Sequence, residues 1–230
     1  MKTSNTVLLT LLFLCSLSCK KDAKQPTLIN TASETSNIAK AEKVTVLYGH
    51  EIVVPDLRIP WGFVFLPDAS LLITEKRGNL IHYQNGMATA IEGLPDIKVL
   101  GQGGLLDIEL HPNYVENGWI YISYASSEGT GPGANTALMR CKLTGNTLTD
   151  KQVLYKASPN SRRGQHFGSR IEFDNEGFLY FSIGDRGNRD INPQNIERDC
   201  GKVYRLHDDG RIPASNPFVR NRNAKKGIYC

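Results

Sequence analysis

Three short stretches hold the residue types that could carry chemistry: His166 in GQHFGSR (164–170), Asp185 in GDRG (184–187) and Gln102 in GQGG (101–104). Imidazole changes protonation near neutral pH, so His166 is a candidate general base. A carboxylate beside it would hold the ring in one tautomer and stabilise the imidazolium, a role open to Asp185. The same residues also read as a hydrogen-bonded loop histidine and a carboxylate that starts a glycine turn, and spacing alone leaves both readings open. Gln102 offers a neutral donor and acceptor among glycines that let the backbone approach a ligand closely. GQGG lacks the GxxxxGK[ST] pattern and runs into a strand, so a hydroxyl-rich ligand suits it better than a phosphate, with an ordinary glycine turn as the other reading. His111, before Pro112, reads as a turn or core histidine, and Arg162-Arg163 as a solvated pair that could meet an anion. No histidine spacing matches HExxH or another metal motif.

The elements that must position these residues come from a phrase used three times. IPWGFVFLPDASLLITEKRGNLIHYQNG, GLLDIELHPNYVENGWIYISYAS with NTALMRCKLTGN, and SRIEFDNEGFLYFSIGDRG with GKVYRLHDDG share one plan. In each, a strand of alternating apolar residues ends at Pro67, Pro112 or Asn175. A turn, a second strand (LLITE, IYISY or LYFSI), a loop and a third strand closing at Gly86, Gly145 or Gly210 follow. Alternation with period two marks half-buried strands, and the Gly, Asn and Ser clusters supply the reversals. Meanders repeating every 40 to 60 or so residues predict a β-propeller, with a two-sheet sandwich as the competing all-β arrangement. At that period residues 44–230 amount to about four blades. His166 precedes one strand and Asp185 follows its hairpin partner, so both are expected at the same end of one sheet, among loops that converge on the axis.

The chain has 27 Lys and Arg against 23 Asp and Glu, with several of the lysines in the first 24 residues, which leaves no basic footprint for nucleic acid. An apolar content of 40% is ample for a core. Residues 1–19, MKTSNTVLLTLLFLCSLSC, read as a signal peptide, being too short for a membrane span. The junction resembles a bacterial lipoprotein processing site with Cys19 as the lipid acceptor, although Leu17 lies two places before the cysteine where three is usual. Residues 20–43 are polar and free of aromatic residues, as suits a flexible tether, and the folded domain is expected over 44–230. The expected location is exported: cell envelope or periplasm, held to a bacterial membrane by lipid. Cys15 leaves with the signal. Cys141, Cys200 and Cys230 contain no CxxC; Cys141 and Cys200 are expected to be buried or incidental thiols, and Cys230 is the last residue of the sequence.

Jointly, IPWGFVFLPDASLLITEKRGNL, GQGGLLDIELHPNY, GQHFGSRIEFDNEGFLYFSIGDRG and GKVYRLHDDGRIPASNPF make residues 52–219 resemble the soluble quinoprotein glucose and aldose-sugar dehydrogenases, the glucose/sorbosone dehydrogenase family. The resemblance implies a six-bladed propeller carrying pyrroloquinoline quinone (PQQ) and Ca2+ on its axis. It also implies oxidation of aldoses at the anomeric carbon to lactones, with hydride passing to PQQ and electrons to an external acceptor. By the same resemblance His166 is the general base at the cofactor, Asp185 supports it, and Gln102 lies in the sugar and cofactor pocket. Gln165 stands where the glucose-oxidising branch has a sugar-contacting aspartate, which implies a broader aldose specificity. The calcium ligands and the cationic groups that hold the quinone carboxylates are expected in blades after the third, so no metal ligand is assigned within these 230 residues.

A ring designed for six blades does not close with about four. The expectation is therefore a C-terminally truncated propeller whose turnover depends on the remaining blades, with apolar terminal faces. The competing expectation is a noncatalytic surface-tethered propeller that binds a glycan or a protein.

Overall fold

Strand-forming runs separated by turn residues build three antiparallel meanders, described by a computed structural model for residues 48–230. The signal segment, Cys19 and the tether at 20–43 lie outside the described residues. The first sheet contains β1 (Pro60–Phe65), β2 (Leu71–Glu75), β3 (Asn79–Gln84) and β4 (Met87–Ala90) in sequence order. The second contains β5 (Leu105–Leu110), β6 (Ile120–Ser126), β7 (Asn135–Thr144) and β8 (Thr147–Lys156), with the four-residue helix α1 (Tyr114–Asn117) between β5 and β6. The third contains β9 (Gly168–Phe173), β10 (Leu179–Ile183) and β11 (Lys202–Leu206). Residues 227–230 occupy the outer position of the third sheet, with a Tyr204–Ile228 bridge and hydrogen bonds Val203 N to Cys230 O (2.7 Å) and Arg205 N to Gly227 O (2.9 Å).

The expected count of about four blades becomes three sheets among the described residues. Each unit is longer than the repeat suggested, because an outer strand (β4, β8) and the long loops 127–134 and 184–201 extend it.

Burial separates propeller from sandwich. One apolar cluster, including Leu72, Leu105, Ile108, Ile122 and Met139, fills the space between the first and second sheets. Another, including Tyr121, Leu138, Ile171, Phe181 and Tyr204, lies between the second and third. The middle sheet is therefore covered on both faces, and all seven residues of β6 are buried rather than alternating in and out. At roughly 25 cal/mol per Å² of apolar surface, burial on two faces is the largest stabilising term the repeat can supply. On the outer side of the first sheet Phe63 and Phe65 remain 62% exposed, as expected for an apolar terminal face.

The first strands of the sheets, β1, β5 and β9, lie beside one another and are tied by buried polar links. Thr74 Oγ1 donates to Leu106 O (2.5 Å), Ser123 Oγ donates to Ser169 O (2.8 Å), and Asp107 accepts from Ile171 N (2.8 Å) and Arg170 NH1 (3.1 Å). These links satisfy polar groups that burial would otherwise penalise, and they fix the register of one blade against the next.

Candidate active site

Three loops meet at one end of the inner strands: 100–104 leading into β5, 161–167 leading into β9, and 184–187 leaving β10. Their approach is closer than side chains allow. Gly101 has φ +59°, and a Cβ there would lie 2.7 Å from Gly164 Cα, so only glycine fits. Gln102 N donates to Gly164 O at 2.6 Å and locks the two loops together. Gly184 likewise leaves no room for a side chain under the His166 carbonyl.

His166 is held by three constraints. Its backbone sits in the left-handed region at φ +55°, uncommon for a non-glycine residue and typical of functional positions held by their surroundings. Its N–H donates to Gln102 Oε1 at 2.7 Å. Its Nδ1 lies 2.7 Å from Asp185 Oδ1, which also accepts from Gly187 N at 2.6 Å. The hydrogen bond with His166 comes first among the causes that hold the Asp185 carboxyl below its ordinary range. An ionised Asp185 accepts a hydrogen bond from Nδ1–H, so the other ring nitrogen, Nε2, carries the free lone pair of a base. Asn192 Nδ2 donates to Asp185 O (2.8 Å) and steadies the turn.

His166 lines a cleft of about 360 Å³ together with Trp61, Lys76, Gln102, Leu106 and Phe167. Trp61 and Phe167 supply flat apolar walls, and Lys76 and Gln102 supply donors. Among the described residues no carboxylate lies within 4 Å of the Lys76 ammonium. Behind Phe167, the Arg186 guanidinium stacks 3.4 Å from the ring centroid and is 1% exposed.

His166, Asp185 and Gln102 are thus brought together. Gln102 uses its side-chain oxygen to hold the His166 backbone, leaving its amide nitrogen for a ligand. Gln165 is exposed, lies against Gly187 and does not line the cleft. His111 is structural: its Nδ1 bonds Asn113 N (2.9 Å) and Asn117 Nδ2 (2.8 Å), and its ring stacks on Tyr121. Cys141 and Cys200 are buried thiols and Cys230 is exposed. Sequence reading missed Trp61, Lys76, Phe167 and Arg186. Arg186 stood in GDRG, where it reads as a turn residue; Lys76 ends LLITEK with no spacing that links it to His166.

Sheets packed in succession around their inner strands define a β-propeller, here present in part, with a histidine–carboxylate pair at one mouth. The chain belongs to the glucose/sorbosone dehydrogenase family, whose sequence profile matches residues 57–230. It is 35% identical over 184 residues to aldose sugar dehydrogenase YliI of Escherichia coli, covering 78% of this chain and 49% of that protein. The crystal structure of the soluble aldose sugar dehydrogenase from Escherichia coli in its apo form superposes with a TM-score of 0.71 at 35% identity, over 75% of this chain and 50% of that one. The PQQ-bound aldose sugar dehydrogenase of Streptomyces coelicolor gives a TM-score of 0.63 at 25% identity, over 77% of this chain and 52% of that one. The chain thus spans about half the length of these relatives.

Proposed function

We propose that this chain carries the base and part of the pocket of a PQQ-dependent sugar dehydrogenase that oxidises aldoses at the anomeric carbon. The observation that carries the reading is the 2.7 Å contact between His166 Nδ1 and Asp185 Oδ1 at the edge of a cleft with aromatic walls. It is supported by the PQQ-bound relative of the same fold.

The residues present fit the quinone. A planar polycyclic tricarboxylate needs flat apolar walls, donors and positive charge; Trp61, Phe167, Gln102 and Lys76 supply these in one cleft. When bound, the quinone supplies the two-electron acceptor that no amino-acid side chain provides. In this reading His166 Nε2 takes the proton of the anomeric hydroxyl, and Asp185 keeps the ring oriented and offsets the imidazolium charge. Gln102 does two things: its oxygen fixes the His166 backbone, and its amide is available to a sugar hydroxyl. Gln165, outside the cleft, would reach substrate only from the rim.

Calcium does not fit this cleft. The ion takes six to eight or so oxygen ligands, whereas the cleft offers an ammonium, an amide and an imidazole, and Asp185 Oδ1 is already engaged twice. Among the described residues no group of three or more His, Cys, Asp or Glu side chains converges. No step is assigned to the ion here. The external acceptor and the attachment of an exported protein through Cys19 to a membrane belong to the same proposal and rest on sequence.

The test is dye reduction by the full-length protein loaded with PQQ and calcium, offered several aldoses. Turnover abolished by His166→Ala with quinone binding retained is the expected result. Undiminished turnover in that variant would overturn the assignment of the base.

A further inference from the structure

On the far side of Arg186 from the catalytic cleft lies a second recess of about 210 Å³, lined by Asn160, Arg163, Arg186, Asn192, Arg198 and Cys200 among others. Three arginines line this space, and no carboxylate does. Arg163 and Arg198 are exposed and solvated, but Arg186 is buried, and a buried charge is costly unless something negative offsets it.

The groups nearby do not supply that charge. Asp199, next in sequence to Arg198, is turned away and saturated: it accepts from Tyr155 Oη (2.5 Å), from Tyr204 Oη and from Ser158 N (2.5 Å), and pairs with Lys225 Nζ (3.3 Å). Asp185 is committed to His166 and Gly187. The Cys200 thiol is pushed up by burial, so it is neutral at physiological pH. Lys202 adds a fourth cation close by, its Nζ donating to Asn192 O (2.6 Å) and Cys200 O (3.0 Å).

Arg186 is the centre of the case. It is 1% exposed, and its partners are backbone carbonyls only: Gln165 O (3.1 Å), Ala134 O (3.4 Å) and Arg163 O. Three acceptors for five N–H groups leave donors for a ligand. Burial without a counter-charge lowers its pKa to about 10, an unusual condition for a guanidinium. Arg198 is positioned across the recess by its bond from NH1 to Asn192 Oδ1 (3.1 Å), and Arg163 by its bond to Gly187 O.

We propose that this recess binds a small oxyanion, separately from the His166 cleft. Arginine forks match the geometry of carboxylate and phosphate oxygens, and the Asn160 and Asn192 side chains, engaged with Gly131 O and Asp185 O, shape the recess rather than donate into it. The volume admits one small anion with water. Two sources share this chemistry: inorganic phosphate, and the carboxylate of a sugar acid. Because Arg186 bonds to Gln165 O and covers Phe167, the anion would also steady the loop that presents His166.

The test is saturable binding of phosphate and of gluconate to the full chain, followed by isothermal calorimetry against chloride of equal ionic strength. Arg163→Gln and Arg198→Gln, both at exposed positions, are compared with Arg162→Gln, a neighbour that does not line the recess. Each of the first two is expected to weaken binding roughly tenfold or more, as for loss of a charge-assisted hydrogen bond, with Arg162→Gln unchanged. The anion that binds more tightly identifies the source. No saturable binding of either anion, or equal weakening by all three substitutions, would overturn the proposal.

Discussion

Asp185→Asn isolates the role of the carboxylate without changing its shape. The amide oxygen can still accept from Gly187 N, now 2.6 Å from Asp185 Oδ1, but it brings no charge to Nδ1 of His166. A hydrogen bond to an ionised partner contributes about 1.5–3 kcal/mol. The His166 side chain is 54% exposed and Asp185 20%, so solvent screening places this pair at the lower end. A loss of about 1.5 kcal/mol corresponds to roughly tenfold in the preference for the Nδ1–H tautomer. Nitrogen NMR of the histidine ring at pH 8 distinguishes the tautomers directly and does not depend on the cofactor or the sugar. The wild-type ring is expected as a single Nδ1–H form and the variant as a mixture. In the quinone-loaded full-length protein the same substitution should lower kcat about tenfold with KM unchanged, because the interaction strengthens as the imidazolium forms. A ring that keeps the Nδ1–H tautomer in the variant would refute the argument that Asp185 orients the base.

Gly101→Ala forces a Cβ toward Gly164 at a left-handed backbone position and should cost about 2–4 kcal/mol, read from urea unfolding. Asp107 behaves in the opposite sense to most structural carboxylates. Burial raises its native pKa above the ordinary value of 3.8, despite the bond from Ile171 N and the charge of Arg170. The folded chain therefore takes up a proton between the two values, and stability falls as pH rises through the raised one. Asp107→Asn is expected to flatten that part of the stability curve; an unchanged slope would show that another group titrates there. Thiol labelling of a chain lacking residues 1–19 should modify Cys230 rapidly. Cys141, whose thiol burial pushes up to about 12, and Cys200 should react only on unfolding.

Much of the architecture was legible in the residues, because strand period and turn chemistry are local. Alternation placed nine of the eleven strands within repeated phrases, and the turns at Pro67, Pro112 and Asn175 fall where the chain reverses. The short outer strand MATA and the longer β8 carry weaker apolar signals and were not anticipated, so the blade count came out too high. The pairing of His166 with Asp185 was also within reach, since a hairpin brings the residue before one strand to the residue after its partner. What local pattern could not convey is contact between units. Gln102 acts on His166 across 64 positions, a contact made only when one blade packs on the next. The same packing buries both faces of β6, where alternation had implied one. It also places Trp61 and Lys76 of the first sheet in the cleft of the third and turns Arg186 from a turn residue into a buried cation. Residue types and their period determined the strands and the candidate base; the packing of blades decided what that base faces, since distance along the chain carries no information about distance across the axis.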